Sequence, residues 1–343
     1  MDKKTMRQIT AIILAGVLVC VVAIGGYLWY ENEQQKKDDA VYTLLWTSDP
    51  QWYSFKYFDI IEQQNEWVLD NIDTYDIRYT FHTGDFVNLP DSEEQWSFMS
   101  EQYVKWDEAG MPYGVLAGNH DVDGADHSHY SRWFGQARYE NNDWYGESFE
   151  DNFGHYDLMT IGETDFIFVY MGYGDFETKH YDWLNSVLAQ HSDRVAVLSF
   201  HEYLNAGGVR TKTGELLFNL VVLKNPNVRM VLCGHNYASA RVIDKIDDTG
   251  DGVADRTVYQ MIANYQSTTN GGNGFMRFME CNTENGTITC KTYSPYIDEF
   301  GSDYESDEAF DEYGTRDDFV IPFDFTNPTP KAEGDLEVGE VVE

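Results

Sequence analysis

The chain has 343 residues, 42% hydrophobic and 15% aromatic, which suits one large domain or two modest ones and excludes a disordered or fibrous composition. Its 23 basic residues face 59 acidic ones, a net charge of −36, and a field of that sign repels DNA, RNA and anionic lipid surfaces. Nucleic-acid binding through phosphate contacts is thereby excluded, and a small anionic substrate needs something locally positive, such as a metal, to receive it. Four cysteines are too few for a disulfide-stapled miniprotein.

Ala11 to Tyr30 is an uncharged run of twenty residues behind Lys3, Lys4 and Arg7. As a helix it would be about 30 Å long, the thickness of a bilayer core. A cleavable signal peptide is the rival reading, but its apolar region is usually only ~7–15 residues. Both readings export the rest of the chain. The expected organisation is a cytoplasmic leader (1–10), a transmembrane anchor (11–30) and a polar stalk (31–40), then a domain at 41–325. The basic leader keeps the N-terminus in the cytoplasm, so the expectation is a single-pass cell-membrane protein that meets the bilayer through this helix.

From Val41 onward, apolar strands alternate with amphipathic helical stretches. Strands are expected at 41–48, 77–83 and 113–117, with helices at 54–71 and 92–109 between them. Glu93 and Glu94 suit the first turn of the second helix. Short buried strands are expected next at 166–171, 195–200 and 228–233, with helical candidates near 180–191 and 213–224. Hairpin-like strands are expected at 256–263, 274–281 and 287–293. The succession predicts an α/β domain whose second half is a more antiparallel sheet.

Between the last two strands, Cys281 and Cys290 flank Asn285-Gly286, the strongest short hairpin signal. A two-residue turn there puts the cysteines opposite each other at a non-hydrogen-bonded pair, with Cα atoms ~4.5 Å apart. In an exported domain the expectation is a Cys281–Cys290 disulfide. Asp247, Thr249, Asp251 and Asp255 alternate oxygen donors with Gly252 at the sixth position, like a calcium loop, although Val258 replaces the glutamate at the twelfth. An acidic hairpin turn is the plainer reading. Asn264-Tyr265-Gln266 and Gly271 to Gly274 suggest a flexible lip or an ordinary loop. Residues 298–343 carry sixteen acidic and two basic side chains. Residues 319–325 read as an edge strand, which tolerates Pro322, and 326–343 as a disordered acidic tail.

Five strand ends carry one kind of chemistry: Ser48-Asp49-Pro50-Gln51, Gly84-Asp85, Gly118-Asn119-His120-Asp121, His201-Glu202 and Gly234-His235-Asn236-Tyr237. In an open α/β sheet ligands bind outside the carboxyl ends of the strands, so these ends would share one cleft. Glycines before Asp85, Asn119 and His235 permit tight turns there. Oxygen and imidazole donors without thiolate suit Mn, Fe or Zn.

This ordered set, spanning about residues 41–293, resembles the calcineurin-like metallophosphoesterases. The resemblance implies a four-layer α/β/β/α sandwich, here preceded by the transmembrane helix, and a two-metal centre. Carried over, Asp49 would ligate the first metal, Asp85 would bridge both, and Asn119, His201 and His235 would complete the second site. His120 would act on the leaving oxygen with Asp121 orienting its ring. The reaction implied is hydrolysis of a phosphate mono- or diester, in a small phosphorylated substrate, by metal-activated hydroxide.

Two positions depart from the family pattern, both at the first metal. Gln51 and Tyr237 stand where histidines are usual. Gln51 can offer a carbonyl oxygen or hold a water; Tyr237 can ligate Fe(III) as a phenolate or simply pack. The expectation is one tight and one weaker transition-metal site. A catalytically impaired metal-binding surface or scaffold protein of the same fold is the alternative. Trp52, Tyr53, Phe86 and Tyr237 are aromatic candidates for a substrate wall or for core.

Overall fold

The computed structural model describes residues 39–301, 317–329 and 338–342. Among them no helix is long and apolar enough to cross a membrane. The expected leader and anchor, and the stalk up to residue 38, lie outside the described residues.

Strands β1 (Val41–Thr47), β2 (Ile77–His82) and β3 (Tyr113–Gly114) run parallel side by side, joined by the helices Phe58–Asp70 and Glu93–Ala109. The second of these helices is bounded by its sequence. The Ser92 side chain accepts from the Gln95 amide, and Gly110 ends it in the left-handed conformation. Next come β4 (Tyr145–Phe149), β5 (Gly154–Ile161) and β6 (Thr164–Met171), an antiparallel meander. Strands β7 (Val195–Phe200) and β8 (Val228–Cys233) add to it in parallel, and every residue of both is buried, as sheet covered on two faces requires. The hairpin of β9 (Ala238–Asp247) and β10 (Arg256–Asn264) comes after them, then that of β11 (Met276–Asn282) and β12 (Thr287–Ser294). The short strands β13 (Glu299–Phe300), β14 (Phe319–Pro322) and β15 (Glu340–Val342) close the chain.

Two sheets result. The first has the order β13-β12-β11-β1-β2-β3, with β14 also on β12; the second runs β15-β9-β10-β8-β7-β6-β5-β4. Tyr42, Leu44 and Trp46 alternate along β1 into a core shared with Phe168, Tyr170, Val197 and Leu232 of the other sheet. Leu45 faces the opposite way, into a core under the helices that carry Ile61, Val68, Trp96 and Tyr103. Ile167, Leu198 and Val231 do the same on the far side, beneath Leu184, Leu188 and Leu217. Three apolar layers between four layers of secondary structure give the expected sandwich. Each fully buried Leu or Phe contributes about 2–3 kcal/mol of transfer free energy to it.

Several expectations are corrected. The 274–281 and 287–293 strands do not extend the second half into one antiparallel sheet. They return to the first sheet, where β11 pairs with β1. The 113–117 strand stops at Gly114, which lies against the Tyr79 hydroxyl and the Tyr170 ring. Strands β4, β5 and β9 are not among those expected from the sequence. In β5 the polar His155 and Asp157 are both buried, which breaks the pattern that marks a strand.

The Cys281–Cys290 disulfide is not formed; both thiols are free and buried. Asn282 pairs with Thr287, so the loop has four residues, and Cys281 faces Ile288 while Cys290 faces Met279. A two-residue type I′ turn needs positive φ at both central residues, and only Gly286 has it, at 62°. The register moves by two residues, which keeps both cysteines on the same face but makes them diagonal neighbours. The segment 326–343 is not a featureless tail either, since Glu340–Val342 pairs with β9. Strand β14 carries Pro322 on a sheet edge as expected, and Phe323 and Phe325 beyond it fill the core between the sheets.

Candidate metal centre

The carboxyl ends of β1, β2 and β3 meet those of β7 and β8, and the five motifs leave the sheets at that edge. Asp49, Asp85 and His235 all take left-handed backbone conformations, with φ of 50°, 60° and 69°. Each costs of order 1–3 kcal/mol and persists only where surrounding structure enforces it, as at functional sites. The glycines act mainly through space. A Cβ on Gly118 would collide with the Asp85 carboxylate, and one on Gly234 with that of Asp49. Only Gly84 also needs its positive φ, 99°, with His201 Nδ1 2.7 Å from where a Cβ would stand.

Asp49, Asp85 and His201, all buried, each place a ligand atom within 4.8 Å of the others. His201 Nδ1 donates to the Thr83 carbonyl at 2.7 Å, which leaves Nε2 as the ligand nitrogen, 3.4 Å from Asp85 Oδ1. Asn119 Oδ1 lies 2.9 Å from that Nε2 and 2.7 Å from His235 Nδ1, so an amide oxygen and two imidazoles converge. Asp49 Oδ1 accepts from the His235 amide at 3.1 Å, and Ser48 Oγ bonds to its other oxygen. Gln51 Nε2 donates to Asp85 Oδ2 at 3.0 Å. Its Oε1 is buried without a partner, a costly state that a cation would relieve.

Burial pushes the Asp49 carboxyl up to about 7 and that of Asp85 up to about 6. Burial also lowers His201, and it takes His235 down to about 4. The imidazoles are thus neutral, the form that binds metal, and a cation beside the two carboxyls would draw their raised pKa values back down. Carboxylate, amide and imidazole donors with these charges fit a divalent cation.

The remaining expectations divide. His120 borders the centre, its amide donating to Asp85 Oδ1 at 2.9 Å. Asp121 does not orient its ring. The Asp121 carboxylate accepts from the Val87 and Gly118 amides at 3.0 and 2.7 Å, while His120 Nδ1 bonds to the Asn88 carbonyl at 3.0 Å. Tyr237 is 54% exposed and Trp52 36% exposed, whereas Tyr53 and Phe86 are core. The lip packs onto the helix Gln51–Phe55, with the Tyr53 hydroxyl accepting from the Gly274 amide at 2.8 Å. Asp247, Thr249, Asp251 and Asp255 share the β9–β10 turn, away from the centre. Asp247 accepts from the amides of Thr249, Gly250 and Gly252, and Asp255 from that of Asp248. Those bonds account for the acidic hairpin.

Tyr173 is a site residue that the motifs do not reveal. It comes just after β6, and its ring centroid lies 5.7 Å from those of both His201 and His235. Its amide donates to the Ala117 carbonyl and its own carbonyl accepts from His127 Nε2, which pins the backbone beside the Asn119 loop. Burial and the charges of Glu202, Asp175 and Asp85 keep its phenol protonated. Only its position at a strand end, like the other five, signals it in the sequence.

The family model described as calcineurin-like phosphoesterase matches residues 42–238, which contain every candidate ligand of this metal centre. An uncharacterized protein, YvnB of Bacillus subtilis strain 168, is 41% identical over 297 residues, or 86% of this chain, although the chain spans only 23% of that protein's length. Among solved structures, a purple acid phosphatase from yellow lupin seeds superimposes with a TM-score of 0.51 at 12% identity, over 86% of this chain and 57% of the lupin protein. A dimetal phosphatase from Danio rerio gives 0.50 at 10% identity, over 76% and 98%. These structural likenesses support the fold alone. With the family model covering more than half of the residues, the chain belongs to the calcineurin-like phosphoesterase family.

Proposed function

We propose that the protein is a metal-dependent phosphoric ester hydrolase acting on a small phosphorylated substrate. The observation that carries this is the buried convergence of Asp49, Asp85 and His201 at the edge where the family's strand ends meet. Asp49, Asp85 and Gln51 would hold one metal, and Asn119, His201 and His235 with Asp85 the other, the histidine-rich one being the tighter. Mn, Fe and Zn all suit these donors. When bound, the metals supply Lewis acidity toward phosphoryl oxygens and lower the pKa of a water.

The chain's own residues prepare the rest. Because the Asn88 carbonyl can only accept, His120 Nδ1 carries a hydrogen, and Nε2, turned to the departing oxygen, would pass it a proton from the doubly protonated imidazolium form. Tyr173 would donate its phenol hydrogen to the phosphate. The uncharged run at 11–30 and its basic leader support anchoring in the cell membrane with the domain outside. The Gln51–Asp85 bond favours the second reading, a scaffold that kept the fold but not the activity.

One assay separates the two. Hydrolysis of an aryl phosphate by the full chain should require added Mn, Fe or Zn and fall at least about 10³-fold in His201→Ala. No turnover above that variant with any of the three metals would favour the scaffold.

A further inference from the structure

We infer that the two halves of the metal centre differ in chemical hardness, with Gln51 as the residue that sets the difference. This rests on the proposed metal centre and deepens it. One half gathers oxygens alone. Asp49 and Asp85 bring carboxylates, and Gln51 sits 2% exposed with Oε1 buried and unpartnered beside the Asp85 carboxylate that its Nε2 contacts. With Nε2 held on the Asp85 carboxylate, the partnerless Oε1 is the atom left to ligate a cation.

Tyr237 adds nothing soft to that half. It is 54% exposed, while the half-buried His235 two residues before it faces Asn119. Few ligands, all oxygen, with the remaining positions left to water, is the environment that Mg²⁺ and Mn²⁺ accept and that gives Zn²⁺ little advantage. The other half is built for transition metals. His201 Nε2 and His235 Nδ1 both approach Asn119 Oδ1, and the hydrogen bond to Thr83 holds the first ring in its ligating tautomer. Two imidazoles with two oxygens suit Zn²⁺ or Fe. The centre is thus a mixed one: a transition metal held firmly, and a hard, exchangeable Mg²⁺ or Mn²⁺ beside it.

The test is stepwise metal titration of the chelator-stripped full chain, with bound Zn measured by elemental analysis and Mn²⁺ by paramagnetic resonance. Wild type should keep one zinc through gel filtration and bind a second equivalent weakly, with similar affinity for Zn²⁺ and Mn²⁺. Gln51→His should raise the Zn²⁺ affinity of that weak step by about tenfold or more and leave Mn²⁺ within about threefold. Gln51→Glu keeps an oxygen donor and adds charge, so it should strengthen Mn²⁺ at the weak step. It remains informative should the histidine variant misfold, which circular dichroism would reveal. Two zincs of equal affinity in wild type overturn the inference, as does a Gln51→His variant that shifts both metals alike or a Gln51→Glu variant without effect on Mn²⁺. A wild type that binds no metal defeats the proposed metal centre itself, a distinct outcome.

Discussion

Tyr173 shows how a single side chain joins the centre without belonging to any motif. Its ring flanks His201 and His235, and its burial keeps the hydroxyl as a donor. Tyr173→Phe retains the ring and removes only that hydrogen. It should lower kcat/KM for an aryl phosphate by about tenfold and leave the retained metal unchanged. Loss of metal in this variant would make Tyr173 a structural support for the histidines instead. Asp121 is the reverse case, a motif residue whose place is structural: its carboxylate holds the Val87 and Gly118 amides, and burial raises its pKa well above the ordinary range. Motif spacing identified where His120 and Asp121 lie but not which atoms they face, because that depends on loops brought in from Asn88 and Val87.

At the scale of elements, β2, β5 and β6 share a buried polar cluster between the sheets. The Tyr79 hydroxyl bonds to Asp157, the Tyr170 hydroxyl donates to that of Tyr79 at 3.0 Å, and the His155 ring stacks on Tyr170 at 4.5 Å. Burial raises Asp157 well above the ordinary carboxyl range and lowers His155 to about 3. A raised folded-state pKa means that the folded chain holds a proton that the unfolded chain releases above about pH 4. The resulting stability is fully present below that pH and is lost as pH rises through the folded pKa, at up to about 1.4 kcal/mol per unit. Urea midpoints from pH 4 to 8 should therefore fall more steeply for wild type than for Asp157→Asn; equal slopes would mean that Asp157 is ionised in the fold. The β11–β12 hairpin yields a second expectation. With Cys281 and Cys290 diagonal and free, both should react with a thiol reagent when the protein is unfolded without reductant. Protection of the pair would restore the direct pairing.

Across the whole molecule, Asp317 ties the two sheets together. Arg277 of β11 donates to Asp317 at 2.5 Å, and also to Ser239 of β9 and to Tyr265 just beyond β10. Both charged side chains are fully buried. Removing one partner leaves a bare buried charge, so Asp317→Ala should lower unfolding free energy by about 3–5 kcal/mol in denaturant titrations. Replacing the pair together, as Arg277→Met with Asp317→Leu, should recover much of that loss. A single variant as stable as wild type would show that Asp317 is not a tie between the sheets. At the far edge of the second sheet, strand β15 pairs with β9.

Residue order alone was enough for the strands and helices that carry the motifs, the family, and the five strand ends that converge at the candidate centre. Their turns and ligands are short-range features, set by residue type and by neighbours a few positions away. It also marked Gln51 and Tyr237 as departures, since a motif shows its own gaps. Three-dimensional packing was needed to send the C-terminal hairpin back to β1, to draw β14 and β15 from the acidic end, and to part Cys281 from Cys290 by one diagonal. The buried His155, Asp157 and Arg277 look like solvent-facing residues in one dimension, because their partners lie on other strands. Whether Gln51 Oε1 has a partner is a property of the space around it, and local residue order carries no record of that space.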